Sequence, residues 1–411
     1  MTSTKLTRRR ALAAAGSTTL LATLPAAGAR AQEAPYRIGA LNPITGAGST
    51  YGSGMQKTIL FALEEVRRAG GGVDGRSLEA YAEDTQTSPD AAVLAVRKLI
   101  GAQRVDAVLG TWSSSVSLAV QPVTNDAGCL LFHVSSAPAL SSPARNAKRL
   151  GWRFQAGSPQ IGAAYAGIAS RLGARNPAVM AFNNDVQIAS TSIFRTEWEK
   201  AGGKVARTVV YEPNRTTYQA ELQQALGARP DLLVVSGYVP DTTIILREAF
   251  EAGNTARVVI PGWAMGPSVV KALGPEVLEG LIVFDTVPDS DGAAFKAFDA
   301  GYRATMGESG LSNVYAAMCY DMVVVLALAM QKVGPGAKNA AIAEAIPTVA
   351  NPPGEKVGNF AEGKAALKAG QEINYEGASG PLDFDTNGDA TSVFGVSEFS
   401  KGTLQRRYLL K

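Results

Sequence analysis

The chain has 411 residues, more than one ordinary domain holds, and its length favours two domains. Hydrophobic residues make up 46% and charged residues 18%, which is typical of a globular protein and not of a disordered or fibrous one. The only histidine is His133 and the only cysteines are Cys129 and Cys319, which excludes a multi-histidine metal site and a four-cysteine zinc site. Any histidine-based nucleophilic mechanism would have to use His133.

The first 31 residues have the plan of an export signal. A basic stretch precedes a small, apolar segment at residues 11–27, and residues 29–31 read Ala-Arg-Ala, a small-x-small cleavage site. Residues 7–12 are similar to a twin-arginine signal, with Ala11 where phenylalanine is usual. The sequence therefore predicts an exported, soluble, periplasmic protein.

Removing residues 1–31 changes the charge of the chain. This segment carries five of the 39 basic residues and none of the 36 acidic ones, so its loss turns the formal charge of +3 into −2. A near-neutral protein offers no basic face for nucleic acid. No second apolar run reaches the length of a membrane span, the longest being residues 322–330. We expect neither nucleic-acid binding nor stable membrane insertion.

Beyond the signal, short apolar runs alternate with amphipathic segments. Strands are predicted at residues 36–41, 78–83, 107–110 and 130–134, and helices at residues 55–70, 89–100 and 114–127. Glycines 70–72 end the first helix, and Pro122 shortens or kinks the third. The rhythm predicts a parallel sheet with helices on both faces.

The same rhythm starts again near residue 178. Strands or helices follow at residues 178–182, 190–202, 204–211, 218–226, 232–235, 242–252, 258–260 and 281–284. Two similar α/β units in series indicate two lobes.

The last third of the chain changes character. Helices are predicted at residues 293–305 and 314–333, the second deeply buried, and residues 350–378 are predicted to be a long loop. A strand at residues 380–385 with a turn at residues 387–389 precedes a terminal antiparallel pair at residues 393–399 and 405–410.

The glycine-rich residues 46–52 lie between the first strand and the first helix. Their glycines are spaced one residue too far apart for the dinucleotide-binding fingerprint, so nucleotide binding is not favoured. A plain βα turn and a loop that contacts another ligand both remain open.

Hydroxyl side chains follow two neighbouring strands. Residues 110–115 read Gly-Thr-Trp-Ser-Ser-Ser and open the third helix, while Ser135 and Ser136 follow the fourth strand. Ligands of open α/β sheets bind at this edge, and serine hydroxyls beside the free N–H groups of a helix start suit a carboxylate. Ordinary capping of the helix by Ser113 or Ser114 is the alternative.

Other candidate groups point less clearly to chemistry. Tyr238 and Trp263 follow strands of the second unit and would close over a ligand or simply pack on the surface. His133 lies within an apolar strand and is expected to be structural. Cys129 and Cys319 are expected to be separate buried thiols. No pattern of a catalytic set is present, so we do not expect an enzyme.

Taken together, these segments resemble the periplasmic solute-binding proteins of ABC transporters, specifically the leucine/isoleucine/valine-binding type. The resemblance covers essentially residues 36–411. It rests on residues 38–46, 51–52, 110–115, 236–238 and 380–389.

The resemblance implies an α/β fold of two Rossmann-like lobes joined by three crossovers, the type I periplasmic binding protein fold. Residues 35–155 and 288–388 would form lobe 1, and residues 156–287 and 389–411 lobe 2. The crossovers would fall near residues 152–158, 286–288 and 388–391.

The resemblance also implies that a ligand binds between the lobes, which close by hinge motion and then dock on a membrane permease. We expect a monomer by default, with neither a cofactor nor a metal. Ser114 would hold the ligand carboxylate, with further help from Ser136, and Tyr238 would cover the ligand. The candidate ligand-binding residues are Tyr51, Trp112, Ser114, Ser115, Val134, Ser135, Ser136, Gln187, Tyr238 and Trp263.

Two positions depart from the family pattern. Gln187 and Ile188 stand where a Tyr-Gly pair is common, and Gly262, followed by Trp263, stands where a glutamate receives the ligand's α-ammonium. A buried ammonium without a carboxylate partner costs several kcal/mol.

The departure at Gly262 leaves the ligand open. Asp185 or Asp241 would have to replace the missing acid, or the rings of Trp263 and Tyr238 would have to hold the cation. Otherwise the ligand is an amine-free aromatic or 2-oxo acid. The alternative function is a ligand-sensing binding protein that feeds a receptor instead of a permease.

Overall fold

The computed structural model describes residues 34–69, 73 and 76–410. The predicted export signal at residues 1–31 and the glycines 70–72 at the end of the first helix lie outside the described residues.

The first sheet contains five strands, all parallel, in the order β2-β1-β3-β4-β5. These strands are β1 (Tyr36–Asn42), β2 (Leu78–Asp84), β3 (Ala107–Leu109), β4 (Leu130–His133) and β5 (Gly151–Arg153). The helices between them are α1 (Ser49–Arg68), α2 (Pro89–Gly101) and α3 (Ser114–Ala127). Strands β3, β4 and β5 are buried throughout, as expected for a sheet covered by helices on both faces.

The second sheet is built on five more parallel strands, in the order β10-β9-β8-β6-β7. They are β6 (Pro177–Phe182), β7 (Arg207–Tyr211), β8 (Leu232–Ser236), β9 (Arg257–Pro261) and β10 (Ile282–Thr286). The accompanying helices are α4 (Ser158–Arg171), α5 (Asp185–Lys200), α6 (Gln219–Leu226), α7 (Val239–Glu251) and α8 (Pro267–Leu278).

The remaining chain adds four helices and two pieces of sheet. The helices are α9 (Ala293–Met306), α10 (Ala316–Val333), α11 (Asn339–Ala350) and α12 (Phe360–Lys368). A small sheet contains β11 (Glu355–Val357), β12 (Ile373–Gly377) and β13 (Gly380–Pro381). Finally, β14 (Phe394–Ser400) extends the second sheet by pairing antiparallel with β10, and β15 (Thr403–Leu410) pairs antiparallel with β14. The predicted α/β class with parallel sheets is confirmed, while the predicted lobe boundaries stay a prediction.

Helix α10 is the only described helix that is long and apolar enough to cross a membrane, so the expectation that no second run has that length is wrong. However, 89% of its 18 residues are buried, and it packs against α1. It has the surroundings of a core helix, as the sequence predicted for this segment.

Several predicted elements need correction. Residues 350–378 are not a loop, because the side chain of Asn359 accepts from the Glu362 amide and starts α12, and β11 pairs with β12. Of the strand predicted at residues 380–385, only Gly380–Pro381 forms a strand, and Phe384 makes an isolated bridge with Ala390. Helix α3 runs through Pro122 to Ala127 without being shortened. Helices α1 and α5 begin before their predicted starts, and α4, α8, α11 and β5 were not predicted.

An ion pair with a buried arginine joins the end of β5 to the segment that precedes β14. Arg153 ends β5 and is 1% exposed, and its Nε lies 2.8 Å from Oδ1 of Asp389. The same guanidinium donates to the carbonyl oxygens of Ser135 and Ala137 and to Ser141 Oγ. Arg153 therefore fixes the loop that follows β4.

Candidate functional site

A cavity lies between the carboxyl ends of the two sheets. It encloses about 270 Å³, counting its opening to solvent. Every residue that lines it is buried, so this cavity belongs to a closed arrangement of the two sheets. The lining residues are Trp112, Ser114, Val134, Ser136, Gln155, Val186, Gln187, Tyr238, Trp263 and Tyr315.

Seven of the ten residues singled out from the sequence line this cavity, and three do not. Tyr51 lies behind Trp112 and Tyr315 and lines a second, larger cavity. Ser115 points away and shares a 3.0 Å hydrogen bond with Ser113. Ser135 is buried between the loops, where its hydroxyl donates to the Trp112 carbonyl at 2.9 Å.

Sequence reasoning missed Gln155, Val186 and Tyr315. Val186 precedes Gln187 at the start of α5, so the choice of Gln187 already pointed to it. Gln155 follows two residues after Arg153, in a segment whose strand was not predicted. Tyr315 is the N-cap residue of α10 and comes from a distant part of the chain, for which the sequence holds no signal.

The start of α3 lies at one end of the cavity and has the groups that suit an anion. Ser113 is the N-cap residue, yet its side chain makes no capping bond, which argues against the ordinary capping interpretation. The first bond within the helix runs from the Ser117 amide to the Ser113 carbonyl. The amides of the first turn therefore have no partner within the helix, and they carry the positive end of its dipole.

Ser114 joins this helix start to the loop after β4. Its Oγ accepts hydrogen bonds from the amides of Ser136 and Ala137, both at 3.2 Å. Because the oxygen accepts twice, its own proton remains for a ligand oxygen. Ser136 differs, since its hydroxyl already donates to the Ala156 carbonyl at 2.7 Å. Ser114 is thus the hydroxyl donor at this end.

Aromatic rings from both sheets form the walls. Trp112, after β3, lies 5.1 Å from Tyr238, after β8, measured between ring centroids, and 6.2 Å from Tyr315. Burial raises the pKa of Tyr238 to about 12, so its hydroxyl stays neutral. That hydroxyl accepts from Asn184 Nδ2 at 3.2 Å. The walls suit a flat or apolar ligand body.

Tyr51 connects the two sheets beside the cavity. It belongs to α1, and its hydroxyl lies 2.7 Å from the Met265 carbonyl and 3.2 Å from that of Gly262, both after β9. Burial, with a smaller effect of Asp285, raises its pKa well above the usual value. A neutral tyrosine therefore bridges the sheets in this closed arrangement.

None of the described residues that line the cavity is acidic or basic. Asp185 is exposed at the start of α5. Asp241 is buried elsewhere, where it accepts from the Asn214 amide at 3.0 Å and from Tyr218 Oη. Neither lines the cavity, so neither replaces the acid that is missing at Gly262.

Asp285 is the buried acid nearest to this position, but it faces the second cavity. A Cβ on Gly262 would lie 2.1 Å from Asp285 Oδ2, so only glycine leaves room for this carboxylate. Burial raises its pKa to about 7, against hydrogen bonds from Thr286 that lower it. The Asp285 carboxylate therefore occupies the space that a side chain at position 262 would take, and it lines the second cavity instead of the first.

The sequence's other reactive groups are structural. His133 is 1% exposed and accepts from the Ser135 amide at 3.2 Å, and burial together with Arg153 lowers its pKa well below the usual value. Cys129 and Cys319 are buried and unpaired with each other, as predicted. Burial raises the pKa of Cys129 to about 11.

Comparison with known proteins finds similar proteins over most of the chain. A family model described as "Periplasmic binding protein" matches residues 35–402. A leucine-, isoleucine-, valine-, threonine- and alanine-binding protein of Pseudomonas aeruginosa is 27% identical over 370 residues, which are 89% of this chain and 90% of the relative.

Solved structures show the same fold. The leucine-binding protein LivK of Thermotoga maritima superposes with a TM-score of 0.77 at 23% identity, covering 91% of this chain and 98% of the other. A solute-binding protein of an ABC transporter from R. palustris, in complex with benzoate, superposes with a TM-score of 0.74 at 19% identity, covering 91% and 96%.

Proposed function

The chain belongs to the type I periplasmic binding protein family of ABC transporters, which includes leucine/isoleucine/valine-binding proteins, and on this premise we propose that it captures a small amine-free carboxylate. Proteins of this family bind substrates and are not enzymes. The proposed ligand is an aromatic or 2-oxo acid, held between the two sheets and delivered to a membrane permease.

One observation carries the proposal: the cavity has an end that suits an anion, and no acid is among the described residues that line it. The helix start and Ser114 suit a carboxylate, and aromatic rings cover the ligand body. An α-ammonium would be buried there without a charged partner, at a cost of several kcal/mol. That cost corresponds to about a thousandfold in affinity, enough to decide between an amino acid and its amine-free counterpart.

The comparisons include ligands with and without an amine. The Pseudomonas aeruginosa relative is named for amino acids, whereas the R. palustris structure contains benzoate. Proteins of this architecture thus hold ligands with and without an amine. The uncharged lining of the cavity in this chain favours the second kind.

Capture follows from closure of the two halves around the ligand. The first sheet supplies Ser114 and the start of α3, and the second supplies Gln187, Tyr238 and Trp263. Closure removes the ligand from water, and opening at the permease releases it. We propose that the protein acts as a soluble periplasmic monomer. A ligand-sensing protein that feeds a receptor would use the same cavity and closure.

A thermal-shift panel on refolded, ligand-free protein tests the proposal. It compares aliphatic amino acids, aromatic acids, 2-oxo acids and small amides. A ligand at one hundred times its dissociation constant adds about 2.7 kcal/mol of stability, which raises the melting temperature by several degrees. We expect shifts with amine-free acids only. Shifts with leucine or valine alone would refute the proposed ligand class.

A further inference from the structure

Two buried N–H donors on the second sheet's side of the cavity have no hydrogen-bond partner among the described residues. Gln187 and Trp263 both line the cavity, and neither Gln187 Nε2 nor Trp263 Nε1 has a hydrogen-bond partner among the described residues. Gln187 is fully buried and Trp263 is 5% exposed, so water does not satisfy them freely. Buried donors without partners are rare because each loses its hydrogen bonds with water.

Asn184 and Ser236 hold Gln187 in place. The side chain of Asn184 caps α5 by accepting from the Gln187 amide at 2.9 Å, which places this residue in the first turn. The side-chain oxygen, Oε1, accepts from Ser236 Oγ at 3.0 Å. With Oε1 occupied by Ser236, Nε2 remains to donate to a ligand.

Hydrogen bonds also hold the backbone turn that contains Trp263. It lies in a short 3-10 turn, Gly262–Ala264, directly after β9. The carbonyl of Gly262 accepts from Tyr51, and the Met265 amide donates to that same carbonyl at 2.9 Å. The indole of Trp263 is therefore attached to a backbone turn that hydrogen bonds hold in place.

We propose that the ligand carries a second oxygen, at the end away from its carboxylate, that accepts hydrogen bonds from Gln187 and Trp263. This inference rests on the proposed function, because the carboxylate occupies the opposite end at α3. It narrows the ligand class to hydroxy- or oxo-substituted aromatic acids. An ammonium at this end would bring only further donors, so it would not satisfy either group.

The test uses pairs of acids that differ only at the distal group. Hydroxybenzoates substituted at positions 2, 3 and 4 are titrated calorimetrically against the methylbenzoates of the same position. Methyl and hydroxyl have similar size, so the ratio of their dissociation constants isolates the hydrogen bond. We expect the best hydroxybenzoate to bind at least about tenfold more tightly than its methyl counterpart.

Trp263→Phe removes the N–H and keeps an aromatic ring. In this variant the preference for hydroxyl over methyl should fall to about threefold or less, because only the hydroxybenzoate loses a hydrogen bond. Trp198→Phe is the matched control, because Trp198 Nε1 is also buried without a partner but lies outside the cavity. The control should keep the preference of the unaltered protein, and melting temperatures establish that both variants fold.

The outcomes separate this inference from the function on which it rests. Equal binding of both acids by the unaltered protein would overturn the inference and leave amine-free acids as ligands. An equal loss for both acids in Trp263→Phe would also overturn it, since the carboxylate would then dock on Trp263. If leucine binds and neither acid does, the proposed function itself fails.

Discussion

We propose that Ser114 donates its hydroxyl proton to a ligand carboxylate at the start of α3. Ser114→Ala removes this donor and also the acceptor of the Ser136 and Ala137 amides. We expect ligand affinity to fall by about 1–3 kcal/mol, measured by calorimetry. Ser115→Ala is the control, because Ser115 bonds only to Ser113 and lies outside the cavity. An unchanged titration for Ser114→Ala would place the anion site elsewhere.

Asp285 makes stability depend on pH. Burial raises its pKa in the folded protein to about 7 from an ordinary value of 3.8, so the folded state binds more protons than the unfolded state between these values. The free energy of unfolding therefore falls as pH rises from about 4 to 7, and the loss is complete above pH 7.

Asp285→Asn removes this titration. We expect the variant to gain about 1–3 kcal/mol relative to the unaltered protein between pH 5 and pH 8, measured by denaturant unfolding at both values. Burial also raises the pKa of Asp321 to about 6. Asp321 is present in both proteins, so its effect on stability cancels in the difference between them. A difference in stability that does not change with pH would contradict this role.

At the scale of the elements, the loop after β4 depends on Arg153. The side chain holds the carbonyls of Ser135 and Ala137 and pairs with Asp389 of a distant segment. Arg153→Met leaves these buried acceptors without a donor, and we expect a loss of about 3–5 kcal/mol in denaturant unfolding together with weaker ligand binding.

A surface ion pair gives the matched comparison for Arg153. Arg215 pairs with Glu221 at 2.7 Å, but its side chain is 49% exposed. Arg215→Met should cost less than about 1 kcal/mol and leave ligand binding unchanged. Equal costs for the two variants would show that Arg153 does not organise the loop.

Elements were predictable from the sequence where burial dictates their composition. The strands β1, β3, β4, β6 and β8 are short apolar runs, because both faces of each sheet are covered. The segment at residues 350–378 was wrongly predicted as a loop because it is rich in glycine, lysine and asparagine, which are common in loops. Its helix depends on the cap at Asn359 and its strands on pairing, neither of which shows in composition.

The same contrast explains the site. Ser114, Ser136 and Tyr238 follow predicted strands, and the topology of a parallel sheet brings strand ends together. Tyr315 reaches the cavity from the start of α10, nearly 180 residues after Ser136. Its position depends on tertiary packing, which the local sequence does not indicate. Ser135 and Ser115 have the right residue type at the right edge but turn to other partners.

At the scale of the whole molecule, Tyr51 ties the two sheets together in the closed arrangement. Tyr51→Phe removes its hydrogen bonds to the Met265 and Gly262 carbonyls without removing a residue that lines the first cavity. We expect the rate of ligand dissociation to rise about two- to tenfold, measured by stopped-flow fluorescence. An unchanged rate would show that the closed state does not depend on this bridge.

The most direct test of the central claim is a pair of calorimetric titrations with matched ligands. Phenylalanine and 3-phenylpropanoate, and likewise leucine and 4-methyl-2-oxopentanoate, share a carbon skeleton and a carboxylate but differ in the α-ammonium. Because no described acid lines the cavity, we expect an amine-free member to bind about a hundredfold or more tightly than its amino acid. Equal or tighter binding of the amino acid would contradict the account, because the ammonium would then have a partner in the closed protein.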